Sequence, residues 1–318
     1  MTGPQGYDAL VVGAGVSGLT TAVVLAEAGL AVRVMTSDPP LRTVSAMAGA
    51  SWGPFLAGHE AVPRWSAVSR AVFVQLAAEY GSGVHLSSGV EAYQNMDAAP
   101  RWATEVPDFR DCELGEYPTG YKGAWRYTIP LVDMPSYLSY LSQRLSYCGG
   151  GIDVIAPLTS LSVPLSVAPV VVNCTGLGAR ELLDDVDVVP CRGQLTVVEN
   201  PGITDFFQDN IDGDDLTCIF PHGDKVVLGG TTETNVDAMT YDPNQERQIL
   251  DRCARIDPRL AGARVVERRV GLRPQRSRIR VERDPNLDGL IHNYGHGGSG
   301  VTLSWGCAMD VLKLVRQR

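Results

Sequence analysis

The N-terminal segment follows the pattern of a strand, a tight turn, a helix and a second strand. Residues Asp8–Val12 form a short, mainly apolar run, which is typical of a parallel strand buried on both faces. A helix is predicted from about Ser17 to Ala28, because apolar residues recur there at helical spacing, and Ala31–Met35 predicts the second strand. The segment has the length of one βαβ unit, about 30 residues.

The rest of the chain shows further helix and strand patterns separated by loops. Helices are predicted over about Pro63–Tyr80, Pro135–Tyr147 and Gln245–Ile256, and strands over Pro169–Cys174, Gln194–Glu199 and Lys225–Gly229. Ala46–Pro63 predicts a loop, and Glu91–Pro130 is expected to be irregular. After the turn Gly295–Gly300, an apolar stripe predicts a C-terminal helix that packs on a core: Val301, Trp305, Ala308, Leu312 and Val315.

Composition and charge narrow the class of protein. Of the 318 residues, 44% are hydrophobic and 20% are charged, which predicts a folded chain with a substantial core. Lys and Arg number 27 against 36 Asp and Glu, and the net charge of -9 disfavours binding to nucleic acid or to anionic lipid. No apolar run approaches the roughly 20 residues of a membrane span. The N-terminus lacks a secretory signal, so a cytoplasmic location is expected.

The seven cysteines are odd in number, widely spaced and without a C-x-x-C pair. This pattern disfavours a disulfide framework and a structural zinc site, so free thiols and no metal are expected. The sequence contains no heptad repeat that would specify an oligomer, and a homodimer is kept as a hypothesis.

Gly13, Gly15 and Gly18 form the pattern G-x-G-x-x-G directly after the first strand. The first glycine allows the tight turn, the second lets the backbone approach a pyrophosphate, and the third lets the helix pack closely on the strand. The N-terminus of the helix then presents free N–H groups to the phosphates. Because the motif lies within a βαβ unit, it predicts nucleotide binding rather than a plain Gly-rich turn.

The end of the second strand departs from the usual nucleotide-binding pattern. An acidic residue is expected there to hold a ribose hydroxyl, but the position is Thr36 and the nearest acid is Asp38. Two interpretations stay open. Either Asp38 reaches the ribose from the turn, or it is a turn residue beside Pro39 and Pro40 and the ribose is held by backbone.

Four segments, in the same order along the chain, resemble the D-amino-acid oxidase family, to which the D-aspartate oxidases are related. The closing segment, Leu290–Gly300 followed by Gly306–Ala308, resembles the family signature. Ala46–Pro54 resembles the flavin-cradling loop of the family, and Val172–Gly176 resembles its third FAD contact. Val270–Pro274 resembles its substrate-arginine segment.

The resemblance implies FAD as the cofactor and a D-amino acid and oxygen as substrates. The products would be a 2-oxo acid, ammonia and hydrogen peroxide. The implied fold is α/β, with a doubly wound, Rossmann-like FAD-binding domain interleaved with an antiparallel-sheet α+β substrate domain. The corresponding ranges are 1–45, 134–188 and 268–318 for the FAD-binding domain, and 46–133 and 189–267 for the substrate domain.

The resemblance also implies site residues. Arg273 and Gly298 are expected to be catalytic, and Arg273, Cys218, Ser299 and Gly53 to bind the substrate. The residues expected to bind the cofactor are Gly13, Ala14, Gly15, Val16, Ser17, Gly18, Ser37, Asp38, Thr43, Val44, Ser45, Gly49, Ala50, Leu158, Thr175, Gly176, Arg273, Gly297, Gly298, Gly300, Val301 and Thr302.

Arg273 is expected to clamp the substrate carboxylate. A guanidinium group forms two parallel hydrogen bonds with a carboxylate and does not lose its charge. The following Pro274 and the flanking motif favour this role. The alternative is a surface arginine in a basic strand, because several others lie nearby: Arg268, Arg269, Arg276 and Arg278.

The glycine turn is expected to aim N–H groups of the last helix at negative charge that develops on the flavin. His292 and His296 are assigned to positioning this turn, since similar oxidases need no side-chain base. Cys218 is a departure, because the family usually places a tyrosine there, facing the substrate carboxylate. A thiol is a weaker donor, so that partner is missing or comes from elsewhere, such as Thr217 or Thr231.

Two features favour neutral or basic D-amino acids. The acidic segment Asp205–Asp215 falls where similar enzymes carry an active-site lid, although a solvated loop is the alternative; as a lid it would disfavour acidic substrates. D-aspartate oxidases also carry an additional arginine where Thr232 stands.

Three other functions stay open as alternatives to a D-amino-acid oxidase. They are an oxidase for D-aspartate, glycine or a biosynthetic intermediate, a flavin-binding protein without turnover, and an NAD-dependent dehydrogenase.

Overall fold

The computed structural model describes residues 6–55, 57–95, 98–210 and 215–317. The first half of the chain forms β1 (Ala9–Val12), α1 (Val16–Glu27), β2 (Val32–Thr36), α2 (Val62–Leu76), β3 (Val84–Tyr93), α3 (Arg101–Thr104), β4 (Arg110–Asp111), β5 (Gly123–Val132), α4 (Met134–Tyr147) and β6 (Gly151–Val154). The second half forms α5 (Ser162–Val167), β7 (Val170–Asn173), α6 (Ala179–Leu183), β8 (Val189–Glu199), β9 (Phe206–Asn210), β10 (Asp215–His222), β11 (Lys225–Thr231), β12 (Glu233–Thr234), α7 (Pro243–Ile256), β13 (Val265–Arg283), β14 (Leu290–His296) and α8 (Gly300–Arg316).

A parallel sheet forms around the predicted βαβ unit. β1 pairs with β2 on one side and with β7 on the other, and β6 and β14 extend the sheet at its two ends. Ala9 and Val11 of β1 face one hydrophobic cluster, to which α1, α4 and α8 contribute. Leu10 and Val12 face a second cluster, which α5 and α6 cover. Helices therefore cover both faces of the sheet, and the predicted doubly wound α/β class is confirmed.

The same sheet continues beyond β14 into a mainly antiparallel region. Its order is β4-β5-β3-β9-β10-β11-β8-β13-β14-β7-β1-β2-β6, and β12 pairs with β8. β13 is 19 residues long, so it pairs with β8 along Val265–Gln275 and reaches β14 through Gln275–Arg283. This one long strand joins the parallel and antiparallel regions.

The expectation of an irregular chain over Glu91–Pro130 is wrong at both ends of that segment, which belong to β3 and β5, whereas the part between them is mostly irregular. β3 and β5 pair without a register shift from Val84 and Val132 to Tyr93 and Gly123. Aromatic and proline residues obscured the alternation, and the partner strand lies far away along the chain. What stabilises the pair is burial of side chains such as Tyr127, which is inaccessible to solvent, and this depends on the tertiary fold.

The predicted helices form with small changes at their ends. α2 ends at Leu76 rather than near Tyr80, because the Ser82 hydroxyl donates a hydrogen bond to the Leu76 carbonyl oxygen (2.7 Å). α8 packs on α1 and α2, and its predicted stripe is buried except at Leu312, which is half-buried. All seven cysteines are free thiols. Among the described residues, no helix combines the length and the apolar character required to cross a bilayer.

Candidate active site

A cavity of about 970 Å³ extends from the carboxyl ends of the parallel strands across the antiparallel region. Its volume lies near the upper limit of ordinary ligand pockets. Its wall contains most of the predicted site residues: Gly13, Ala14, Gly15, Val16, Ser17, Ser37, Asp38, Thr43, Val44, Ser45, Gly49, Ala50, Gly53, Leu158, Thr175, Gly176, Cys218, Arg273, Gly297, Gly298, Gly300 and Val301. Residues that are far apart in the sequence thus share one cavity.

The turn between β1 and α1 requires glycine at two positions. Gly13 has φ +108°, and a Cβ there would lie 2.5 Å from the carbonyl oxygen of Cys174. A Cβ at Gly18 would lie 1.9 Å from the Gly13 carbonyl oxygen. Gly18 is not part of the cavity wall, and its role is the close packing of the helix on the turn. The cavity in front of this turn fits a pyrophosphate at the N-terminus of α1.

Ser45 supports the N-terminus of α1 from a different part of the chain. Its hydroxyl accepts a hydrogen bond from the Val16 N–H (2.9 Å), while the N-cap residue Gly15 has no side-chain cap. The surrounding loop is anchored by Arg269, which is buried, forms an ion pair with Glu267 and donates to the Ala48 carbonyl oxygen (3.3 Å). The loop predicted to cradle the cofactor is therefore fixed to α1 and to β13.

We expect Ser45→Ala to lower the free energy of unfolding by about 1 kcal/mol, because a donor at the N-terminus of α1 loses its partner. Urea unfolding monitored by circular dichroism measures this effect. Ser142→Ala is the control, since that hydroxyl bonds only within its own helix, to the Leu138 carbonyl oxygen. Equal stability of the two variants would contradict the capping role.

The turn after β2 leaves the role of Asp38 open. The Thr36 hydroxyl donates to the backbone carbonyl oxygen of Asp38 (2.8 Å), which stabilises the turn. The Ser37 hydroxyl donates to the Asp38 carboxylate (3.0 Å), and both residues are exposed in the cavity wall. The carboxylate is therefore accessible to a ribose hydroxyl while its backbone shapes the turn.

The turn before α8 brings glycines to the cavity, whereas the hydroxyls of Ser299 and Thr302 bond to backbone groups. The Ser299 hydroxyl accepts from the Phe55 N–H (2.6 Å) and donates to the Phe55 carbonyl oxygen (2.5 Å). The Thr302 hydroxyl makes the same pair of bonds with Gly53, at 3.2 and 2.9 Å. Neither residue lies in the cavity wall. Both side chains therefore hold the segment Gly53–Phe55 in place, and contacts of Ser299 and Thr302 with a ligand stay a prediction.

Arg273 on β13 projects its guanidinium group over β8. Nη1 donates to the Thr231 carbonyl oxygen (3.2 Å) and, at 3.4 Å, to that of Arg192. A Cβ at Gly193 would lie 2.5 Å from Nη1, so the glycine provides the space that the guanidinium occupies. Within the described ranges, no carboxylate forms an ion pair with Arg273.

The neighbouring arginines differ from Arg273 in this respect. Each is engaged by a carboxylate: Arg268 by Glu246, Arg269 by Glu267, Arg276 by Asp185 and Arg278 by Glu60. A half-buried cation facing a cavity with only carbonyl partners is suited to an anionic ligand. The geometry thus favours the clamp over the surface arginine that the sequence left as the alternative.

For the D-amino-acid substrate that the resemblance implies, we expect Gly193→Ala to raise the KM about tenfold, because a displaced Arg273 guanidinium loses hydrogen bonds to the substrate carboxylate. The strand conformation of Gly193 suits alanine, and the atoms that a Cβ would meet are the free end of Arg273, so the fold should persist. Steady-state kinetics measures the change. If Gly193 acts only through Arg273, the substitution has no further effect in an Arg273→Ala background, and additive losses would contradict the explanation.

The wall beside Arg273 contains Cys218 where the family usually has tyrosine. Its Sγ packs against Gly229, where an added Cβ would lie only 2.3 Å from the sulfur. Burial raises the pKa of the Cys218 thiol, which therefore stays protonated. The Thr231 hydroxyl already accepts a hydrogen bond from the Gln194 N–H (3.0 Å). Thr232 lies in the wall, and its buried hydroxyl has no partner in the described part of the chain. The hydroxyl of Thr232 is therefore better placed than that of Thr231 to replace the missing tyrosine donor.

The two histidines of the closing segment are buried and differ in their surroundings. Burial lowers the pKa of His296 to about 4, so its imidazole is neutral at physiological pH. His292 Nε2 lies 2.9 Å from the Asp284 carboxylate, and His292 is not among the residues of the cavity wall. A pKa this low makes His296 a weak base, and His292 does not line the cavity, so neither histidine is suited to act as the general base.

Several wall residues were not predicted from the sequence. Phe55 and Trp102 supply apolar surface, Gly193 makes room for Arg273, and Glu91 and Gln208 contribute polar groups. Trp102 packs edge-on against Trp52, with ring centroids 5.7 Å apart. These residues carry no motif, and Glu91 lies in the segment that was expected to be irregular.

Comparisons with known proteins agree with this geometry. A family model described as FAD dependent oxidoreductase, DAO, matches residues 8–314. A protein of Rubrobacter xylanophilus named D-amino-acid oxidase is 45% identical over 310 residues, which cover 96% of this chain and 95% of that protein. One of the same name from Streptomyces coelicolor is 44% identical, covering 96% of each.

Solved structures show the same fold. The crystal structure of glycine oxidase from Geobacillus kaustophilus superposes with a TM-score of 0.83 at 20% identity, covering 98% of this chain and 95% of that one. At this identity the likeness establishes the architecture only. With the family model spanning nearly the whole sequence, and the nucleotide turn and the arginine in one cavity, the chain belongs to the family of FAD-dependent oxidoreductases.

Proposed function

We propose that the protein is a D-amino-acid oxidase. It oxidises a D-amino acid to an imino acid, which hydrolyses to a 2-oxo acid and ammonia, and oxygen is reduced to hydrogen peroxide. The observation that carries this proposal is Arg273, whose guanidinium faces the same cavity as the nucleotide turn and pairs with no carboxylate in the described residues. Two relatives with 44 and 45% identity bear this name.

The residues of the cavity fit FAD. Gly13, Gly15 and the N-terminus of α1 would hold its pyrophosphate, and the loop Thr43–Ala50 would enclose it. FAD, when bound, accepts two electrons from the substrate and passes them to oxygen. The glycines at the start of α8 would direct N–H groups and the helix dipole toward negative charge that develops during oxidation.

Arg273 orients the substrate by gripping its carboxylate, which fixes the direction of the α-hydrogen. His296, with a pKa of about 4, is a weak base and Cys218 stays protonated, so neither is suited to take a proton from the substrate, in keeping with an amine that loses its proton before the α-hydrogen leaves. Proline and aromatic side chains in the wall, among them Trp102, exclude water from this end of the cavity.

We further propose a preference for neutral or basic D-amino acids. Thr232 supplies a hydroxyl rather than a cation for an acidic side chain, and the wall contains Glu91. Of the acidic segment once expected to form a lid, Asp205 pairs with Arg126, and Asp209 is buried and accepts a bond from Tyr121 (2.9 Å). The positions 211–214 lie outside the described residues, so the lid stays a prediction.

Three further expectations stay predictions. The division into a FAD-binding domain (1–45, 134–188, 268–318) and a substrate domain (46–133, 189–267) is supported by the parallel strands β1, β2, β6 and β7 falling in the first. Limited proteolysis tests it. A homodimer is tested by the molar mass in solution, and a cytoplasmic location by fractionation of the source cells.

The function is tested by adding D-alanine to the FAD-loaded protein under nitrogen. We expect bleaching of the yellow colour with D-alanine and not with L-alanine, and release of peroxide when air is admitted. Bleaching by glycine or D-aspartate alone would identify a related amine oxidase. A fully loaded protein that no amine bleaches would be a flavin-binding protein without turnover.

A further inference from the structure

A row of polar side chains crosses three neighbouring strands of the antiparallel region. Glu91 of β3 is paired in register with Gln208 of β9, and Gln208 with Cys218 of β10. Side chains directly opposite one another in a sheet point to the same face. All three residues lie in the cavity wall. The row therefore forms part of the floor of the substrate end of the cavity.

Glu91 is the carboxylic acid of this row, and only one of its two carboxyl oxygens accepts hydrogen bonds from the described residues. Its Oε2 accepts bonds from the Tyr127 hydroxyl and from Gln208 Nε2 (3.1 Å), and Gln208 Nε2 also lies 3.1 Å from the Tyr127 oxygen. The residue is only 5% exposed. No donor to Oε1 is found in the parts of the chain that the structure describes. A carboxyl oxygen of a cavity-wall residue that receives no donor from the protein can accept one from a ligand.

A wholly structural role does not require a carboxyl group at this position. Gln208 and Tyr127 already bond to each other, and an amide at position 91 could accept from both. Burying a carboxyl group is costly unless it is paired. Burial raises the pKa of Glu91, an effect that nearby Asp209 strengthens, and an approaching cation would favour the charged form.

The distance between Glu91 and Arg273 fits a long substrate side chain. The Arg273 guanidinium lies over β8, and β3 is four strands further along the sheet, so the guanidinium is about 19 Å along the sheet from the backbone of Glu91, less the reach of the Glu91 side chain. A short side chain held at Arg273 would not reach Glu91. Phe55 and Trp102 provide apolar wall for an aliphatic stem.

We propose that Glu91 is a specificity-determining residue that binds the terminal cation of a D-amino acid with a long basic side chain. The inference rests on the proposed oxidase function and assigns its substrate class. Arg273 holds the carboxylate at one end of such a substrate, and Glu91 accepts hydrogen bonds from the ammonium or guanidinium group at the other.

The test compares D-lysine with D-norleucine, which has the same carbon chain without the terminal ammonium. For the FAD-loaded wild-type enzyme we expect kcat/KM to favour D-lysine about tenfold or more, as a hydrogen bond to a buried charge implies. Glu91→Gln should abolish this preference by raising the KM for D-lysine, with D-norleucine changed by less than about twofold. Glu79→Gln is the matched control, because Glu79 accepts a bond from Tyr140 (2.6 Å) on the surface.

Two results would overturn the proposal. One is a wild-type enzyme with equal kcat/KM for D-norleucine and D-lysine, a comparison that does not depend on the folding of any variant. The other is a Glu91→Gln variant that loses activity equally with both substrates, since this would indicate a structural role.

Failure of the oxidase function is distinguishable from failure of this inference. If no D-amino acid is oxidised, binding of D-lysine and D-norleucine to the FAD-loaded protein can be followed by the fluorescence of tryptophans such as Trp102 in the wall. Tighter binding of D-lysine that Glu91→Gln removes would support the assignment of Glu91, and equal binding would refute it.

Discussion

Arg273→Ala is expected to lower kcat/KM for D-alanine about a hundredfold or more, equivalent to about 2.7 kcal/mol of transition-state stabilisation. The substitution removes a cation that both binds the carboxylate and directs the α-hydrogen. Breaking a buried ion pair costs about 3–5 kcal/mol, and Arg273 is half-buried, so the lower part of that range applies. Peroxide release over a range of D-alanine concentrations measures the effect.

The neighbouring arginine Arg278 provides a matched control. It lies on the same strand, β13, but is exposed and bonds to Glu60 at 2.5 and 2.7 Å. Arg278→Ala should leave kcat/KM unchanged, because exposed ion pairs contribute little. The kcat/KM of Arg273→Lys should lie between those of the wild type and Arg273→Ala, since lysine keeps the charge but lacks the two parallel donors. Near-normal kinetics of Arg273→Ala would show that another group anchors the substrate.

Gly18→Ala is expected to yield protein that has lost most of its bound FAD. The added Cβ would lie 1.9 Å from the Gly13 carbonyl oxygen and 2.9 Å from its carbon, and both are backbone atoms that cannot rotate away. Helix α1 must therefore move from the turn, which shifts the N–H groups that face the pyrophosphate. Overpacking of this kind costs about 1–3 kcal/mol of folding free energy.

The ratio of flavin to protein absorbance after purification measures this loss, and urea unfolding measures the stability. Gly6→Ala is the control, because a Cβ at Gly6 would meet no atom within 4 Å. A yellow, stable Gly18→Ala protein would show that the turn tolerates the displacement and that the helix N-terminus is not the critical contact.

Local patterns in the sequence were sufficient to predict the secondary structure at the start of the nucleotide-binding half of the molecule. The run Asp8–Val12, the glycines of the turn and the following helix are all encoded within one short segment, and β1, α1 and β2 form as predicted. Each glycine could be assigned a role because its steric requirement is local. The resemblance of Val270–Pro274 to a substrate-arginine segment likewise predicted that Arg273 contacts the substrate, and Arg273 lies in the cavity wall.

The substrate half was less predictable, because its strands pair over long separations. β5 carries the partner of Glu91, yet the segment was expected to be irregular. Ser299 and Thr302 were expected to face ligands, but their hydroxyls bond to backbone at Gly53 and Phe55, which only the tertiary fold brings near. Hydroxyl groups bond to whichever partner is close, and the sequence does not state which one that is.

The sequence by itself determined the βαβ unit, its glycine turn and the family of flavin oxidoreductases, since these depend on residues that are neighbours along the chain. The tertiary structure alone decided that Arg273 lies over Gly193 with carbonyl oxygens as its partners among the described residues, and that Glu91 lies beside Gln208 in the same cavity. Such contacts arise from strand register, which is fixed by packing across the whole sheet rather than by any local pattern.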